Sequence, residues 1–132
     1  MQKKCILAID DTAMQLHSII NILQPMYTVR IAKNGKTGLD FAQKYDIDLI
    51  LLDMVMPDMP GLEVLNTLMT SEKTKHIPVI LATGSTSDED KQEGLSMGAA
   101  DCIKKPFEKA NVLETVEKVF LSTLYRNGKE YR

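Results

Sequence analysis

Apolar and polar positions divide this chain into two kinds of segment. Short, almost unbroken apolar runs occupy residues 5–9 (CILAI), 48–52 (DLILL) and 77–82 (IPVILA). Runs of this length and composition describe strands buried on both faces, as in the middle of a parallel sheet. Two weaker runs, 27–32 (YTVRIA) and 100–104 (ADCIK), complete five strand candidates. The segments between them carry helical spacing. Met14, Leu16, Ile19, Ile20 and Leu23 mark an apolar stripe that Pro25 terminates. Asn34-Gly35 opens a second helix running to about Tyr45, and a third follows Pro60 with Leu62, Val64, Leu65 and Leu68 inward. A fourth starts at Ser87, whose spacing to Asp90 forms a capping box with acid in the first turn. Its interior Gly94 costs about 1 kcal/mol relative to Ala, so this helix is expected to be the loosest. The fifth runs from Glu108 to about Ser122, with Val112, Leu113, Val116, Val119 and Phe120 inward.

Five strands alternating with five helices predict an α/β fold, an open five-stranded parallel sheet with helices on both faces. Right-handed crossovers leave few topologies at this size, and the strand order 2-1-3-4-5 is the expected one. In that order the first and third strands are neighbours, so their carboxyl ends share one crevice. Ile9 is followed by Asp10-Asp11 and Leu52 by Asp53. Three carboxylates therefore meet at the place where open α/β sheets bind their ligands.

Composition narrows the context without changing this picture. The 132 residues fit one domain, with 44% apolar and 26% charged residues. A net charge of −2 disfavours nucleic-acid binding by this segment. Cys5 and Cys102 lie in strand-like runs without metal-type spacing and read as reduced core thiols of a cytoplasmic protein. The amino-terminal apolar stretch is too short for a signal peptide or a membrane span. The polar end, TLYRNGKEYR (123–132), reads as a tail or a linker to an absent output domain, behind a domain spanning 1–122.

Asp10-Asp11 taken alone would be a helix cap, and Asp53 alone a turn residue. Together at one crevice they repel unless a cation joins them. Oxygen ligands without His or Cys select a hard ion, with Mg²⁺ the usual choice; Ca²⁺ wants about six to eight oxygens, more than the local supply. The fourth strand delivers the hydroxyl of Thr83 to the same edge, and the fifth ends in Lys104-Lys105-Pro106. Carboxylates, a divalent cation, an ammonium and a hydroxyl are the parts needed for phosphoryl transfer, with a carboxylate as acceptor. His17 lies opposite the stripe of helix one and His76 in a polar loop; both read as solvated. Met54, Met56 and Met59 read as loop packing.

The motifs DD (10–11), DMVMP (53–57), ATG (82–84), GAAD (98–101) and KKPF (104–107), in this order, resemble the receiver domain of two-component response regulators. The resemblance spans about Lys4 to Phe120. It implies a flavodoxin-like (βα)5 fold and a phosphorylation-activated switch whose acceptor is Asp53. The phosphoryl donor it implies is a sensor histidine kinase or a histidine phosphotransfer protein. On the same basis Mg²⁺ is held by Asp10, Asp11, Asp53 and the backbone carbonyl of Val55. Lys105, preceding a cis proline, binds the phosphoryl group, and Thr83 hydrogen-bonds it after transfer. Such a module catalyses its own phosphotransfer and dephosphorylation and turns over no metabolite. Output is expected through an attached domain or a homodimer, by the face of helix four, strand five and helix five. One departure concerns that output: the family's usual switch aromatic is replaced by Cys102, which is expected to act as packing. An aspartyl-phosphatase of the haloacid dehalogenase type needs an aspartate two residues after the nucleophile, where Val55 stands. A degenerate receiver acting only as a binding module requires lost site residues, and all are present.

Overall fold

The computed structural model describes residues 3–84 and 88–127. Strands and helices alternate without exception: β1 (Cys5–Ile9), α1 (Ala13–Leu23), β2 (Thr28–Ala32), α2 (Gly35–Lys44), β3 (Leu49–Asp53), α3 (Gly61–Thr70), β4 (Val79–Thr83), α4 (Asp88–Ser96), β5 (Asp101–Lys104) and α5 (Lys109–Asn127). All neighbouring strands pair in parallel, in the order β2-β1-β3-β4-β5. The sheet predicted from the apolar runs is the sheet observed. Every residue of β3 and of β4 is buried, which is why those runs lack the alternation of a half-exposed strand.

Strand periodicity splits the core into two layers. Ile6, Ala8, Leu49, Leu51, Ile80 and Ala82 point to one face, where Leu16, Ile19 and Leu23 of α1 and Val112, Val116 and Val119 of α5 cover them. Leu7, Ile9, Ile50, Leu52, Val79 and Leu81 point to the other, beneath Ala42 of α2 and Val64, Leu65 and Leu68 of α3. Each fully buried leucine or isoleucine contributes about 1.5–3 kcal/mol relative to an exposed one. With both faces covered, the sheet is a platform that leaves the carboxyl edge of its strands open.

The helices depart from the sequence reading in a few places. Met14 is 75% exposed, outside the α1 stripe, because it lies two residues before Leu16 and so on the opposite side of the helix. Helix α5 continues to Asn127, past the expected stop at Ser122. Polarity alone does not end a helix; no Gly or Pro intervenes before Gly128, and Thr123 donates its hydroxyl to the Val119 carbonyl at 3.0 Å. The second helix opens at Asn34-Gly35 as expected, and Asn34 caps it, its side chain accepting from the Thr37 amide at 2.8 Å. The capping box assigned to Ser87 lies outside the described residues, and α4 is described from Asp88. Gly98, at φ 114°, takes the left-handed conformation that carries the chain out of α4. Both cysteines are free thiols and half-buried, at the margins of the core. Among the described residues no helix is long and apolar enough to cross a membrane.

Candidate functional site

Strand register assembles the site. Ile9 pairs with Leu52, so the next residues, Asp10 and Asp53, leave the sheet side by side. Asp53 pairs with Ala82 and Thr83 with Lys104, which brings Thr83 and then Lys105 to the same edge. The Lys105 amide extends the ladder by donating to the Thr83 carbonyl at 2.8 Å. The Lys105–Pro106 peptide bond is cis, as expected.

Side chains then converge. Lys105 Nζ lies 2.9 Å from Asp10 Oδ2 and 2.9 Å from Asp53 Oδ1, with all three side chains largely buried. The other Asp10 oxygen, Oδ1, accepts from the Thr12 amide at 2.9 Å. Asp53 Oδ1 also accepts from the Val55 amide, weakly, at 3.4 Å. Asp11 is exposed, yet Asp10, Asp11 and Asp53 each bring a carboxylate oxygen within 4.8 Å of the other two. Val55 belongs to the loop after β3, its side chain 78% exposed. Thr83 closes β4 and is buried, with its hydroxyl beside the Cys102 thiol.

The charges do not balance. One ammonium faces two buried carboxylates and a third beside them. Burial pushes the Asp53 carboxyl above its ordinary value; the Lys105 hydrogen bond opposes this, and the charge of Asp10 adds to the rise. For Lys105, burial pulls the ammonium down, but hydrogen bonds and charge from Asp53 and Asp10 more than offset it, and its pKa is raised. The two directions agree on one point: Lys105 is well compensated, while the carboxylates lack positive charge. An all-oxygen cluster short of positive charge fits a hard divalent cation.

Two features of the site have no local signature in the sequence. Asp58, in the loop after β3, accepts from the Gly35 amide at 3.0 Å and the Lys36 amide at 3.0 Å, capping a helix more than twenty residues earlier in the chain. Cap-type residues announce the helix that follows them, so this one could not be read locally. The Thr83–Cys102 contact gives Cys102 a polar neighbour in addition to packing; burial pushes its thiol up and the Thr83 hydroxyl opposes this. A wide opening lies elsewhere, an open groove of about 550 Å³ at the amino edge of the sheet, lined by Lys3, Cys5, Arg30, Lys44 and Tyr45. There Arg30 stacks on Tyr45 and Lys44 pairs with Asp40 at an exposed position. Size alone therefore does not locate the site; the buried, under-compensated carboxylates do.

Known proteins share this arrangement. Residues 6–117 match the response regulator receiver domain family. A probable cyclic di-GMP phosphodiesterase of Vibrio cholerae is 42% identical over 101 residues, covering 76% of this chain and 23% of that protein. The cell cycle response regulator CtrA of Brucella ovis is 36% identical over 111 residues, covering 83% of this chain and 47% of CtrA. The chain thus spans less than half the length of these curated relatives. The chemotaxis protein CheY4 of Vibrio cholerae superimposes with a TM-score of 0.84 at 34% identity, over 89% of this chain and 98% of that one. A CheY-like receiver domain from Methanospirillum hungatei reaches 0.87 at 29% identity, over 95% and 99%. With the fold, the strand-end carboxylates and these relatives in agreement, the chain belongs to the response regulator receiver domains, the phosphorylation-based signalling modules of two-component systems.

Proposed function

We propose that Asp53 is the phosphoacceptor of this receiver, taking its phosphoryl group from a phosphohistidine on a sensor histidine kinase or a histidine phosphotransfer protein. The observation that carries the reading is the ammonium of Lys105 suspended 2.9 Å from both Asp10 and Asp53. In the step, a carboxylate oxygen of Asp53 forms a bond to phosphorus as the phosphorus–nitrogen bond of the donor breaks. The electron pair returns to the imidazole, and Asp53 becomes an acyl phosphate. Burial at the end of β3 holds the attacking oxygen rigidly and limits water around it. Lys105 can follow the transferred charge, exchanging its Asp53 oxygen for a phosphoryl oxygen without leaving Asp10. Thr83 stands one strand away, where its hydroxyl can leave Cys102 and donate to the phosphoryl group.

Mg²⁺ is the cation this reading requires; Asp10, Asp11, Asp53 and the Val55 carbonyl would hold it. Its charge offsets the repulsion between the carboxylates and the incoming phosphoryl oxygens. The module acts in the cytoplasm as a switch, with no turnover beyond its own phosphorylation and dephosphorylation. Its output passes through an attached domain or a homodimer, by the face of α4, β5 and α5. The test is incubation with acetyl phosphate, with and without Mg²⁺, followed by intact-mass spectrometry. One phosphoryl group is expected on the wild type only with Mg²⁺, and none on Asp53→Asn. Equal labelling of both proteins overturns the assignment.

A further inference from the structure

The loop from Met54 to Pro60 carries Val55, and the Val55 side chain does not explain how that backbone is held. The Val55 side chain is 78% exposed and anchors nothing. On the upstream side the Met54 amide donates to the Ala82 carbonyl at 3.1 Å, and the Met54 carbonyl accepts from Gly61 at 2.8 Å. These bonds close the base of the loop; Met56 buries its side chain in the core and the Val55 amide reaches Asp53 only at 3.4 Å, which leaves the far side of the loop to be fixed from elsewhere. Both oxygens of Asp58 fix it, one on the Gly35 amide and one on the Lys36 amide, each at 3.0 Å. These are the first two amides of α2, donors without an acceptor inside the helix and at its positive end. They hold the Asp58 carboxyl below its ordinary value. Met59 adds an apolar contact to the same helix start: a Cβ on Gly35 would lie 2.6 Å from Met59 Cγ. Asn34 caps the third donor, Thr37, independently of the loop.

We propose that Asp58 is a positioning residue for the phosphoacceptor site: by fastening the apex of the loop to the amino end of α2, it sets the Val55 backbone at the crevice. The proposal deepens the reading of Asp53 and its cation and rests on it. Asn34 and Asp58 are both α2 caps, but only Asp58 reaches the loop, so the pair separates helix stability from site geometry.

The experiment titrates Mg²⁺ by calorimetry into wild type, Asp58→Ala, Asp58→Asn, Asn34→Ala and Asp11→Ala. Amide exchange at Val55 and Met56 is followed in the metal-free proteins. Asp58→Ala is expected to weaken Mg²⁺ binding roughly ten-fold, the lower end for a group that orients a ligand through another, and to speed exchange at Val55. Asp58→Asn, which keeps one acceptor oxygen, recovers part of both. Asn34→Ala leaves both at wild-type values despite its lost cap. Equal losses in Asn34→Ala and Asp58→Ala, or wild-type behaviour in Asp58→Ala, overturn the proposal. Should Asp11→Ala keep wild-type affinity, the cation reading itself fails, and Val55 exchange in Asp58→Ala against Asn34→Ala then decides the positioning role alone.

Discussion

The two central strands leave the sheet side by side but hand over to very different helices. After β3, the chain is closed by the Gly61–Met54 hydrogen bond and tied to α2 by Asp58, and α3 buries Gly61, Val64, Leu65 and Leu68. After β4, α4 buries only Gly94, and its first turn carries Asp88, Glu89 and Asp90. The first connection carries Asp53 and the second follows Thr83. The proposed function calls for one of each: a nucleophile held still, and an element loosely enough packed for a phosphoryl group to bias between two states. Lys105 joins the two, with its side chain on Asp53 and its amide on the Thr83 carbonyl.

The largest effect should come from removing that joint. Lys105→Met leaves Asp10 and Asp53 without their ammonium, and breaking a buried pair in this way costs about 3–5 kcal/mol, less at a crevice open to water. Urea denaturation should show the loss in chelator and a narrower gap to wild type in Mg²⁺. The same gap in both conditions breaks the idea that cation and ammonium serve the same carboxylates.

A smaller effect sharpens the contrast between the helices. A Cβ at Gly61 would collide with the Asp53 carbonyl oxygen and the Met54 Cα, backbone atoms that cannot turn aside. Gly61→Ala should cost about 1–3 kcal/mol, as overpacking does, and slow phosphorylation of Asp53. A Cβ at Gly94 would meet the tip of the fully buried Leu81 side chain, which would have to shift in place of backbone. In Gly94→Ala a gain of about 1 kcal/mol in helix propensity offsets part of the crowding, so the loss should be smaller than in Gly61→Ala. Equal destabilisation by the two substitutions would erase the distinction between a clamped and a loose connection.

The smallest effect concerns output. Amide exchange in α4 should change on binding a phosphoryl mimic in wild type, and much less in Thr83→Ala. Cys102→Ala removes one weak acceptor from the Thr83 hydroxyl and should leave the response nearly intact. A response lost in Cys102→Ala at unchanged stability would place the switch at the thiol.

Much of this was legible in the chain because it depends on short-range pattern. Runs such as LILL and VILA, too short for helices and bounded by polar or turn residues, read as doubly buried strands, and the helical segments between them favour parallel pairing. Once strand order follows, Asp10 and Asp53 must be neighbours. Met14 was misplaced because apolar character was counted without its angular position. The end of α5 was misjudged because polarity was taken as a stop.

Sequence alone determined the order of elements, the strand ends that carry Asp10, Asp53 and Thr83, and the start of α2 at Asn34-Gly35, since each follows from residues within a turn or a strand length. Only the tertiary structure decided that Lys105 bridges Asp10 and Asp53, that the Thr83 hydroxyl lies beside Cys102, and that Asp58 caps α2. These are contacts between residues brought together by sheet order and loop closure, and hydrogen-bond partners so far apart in the chain are chosen by where the fold leaves a donor unmatched.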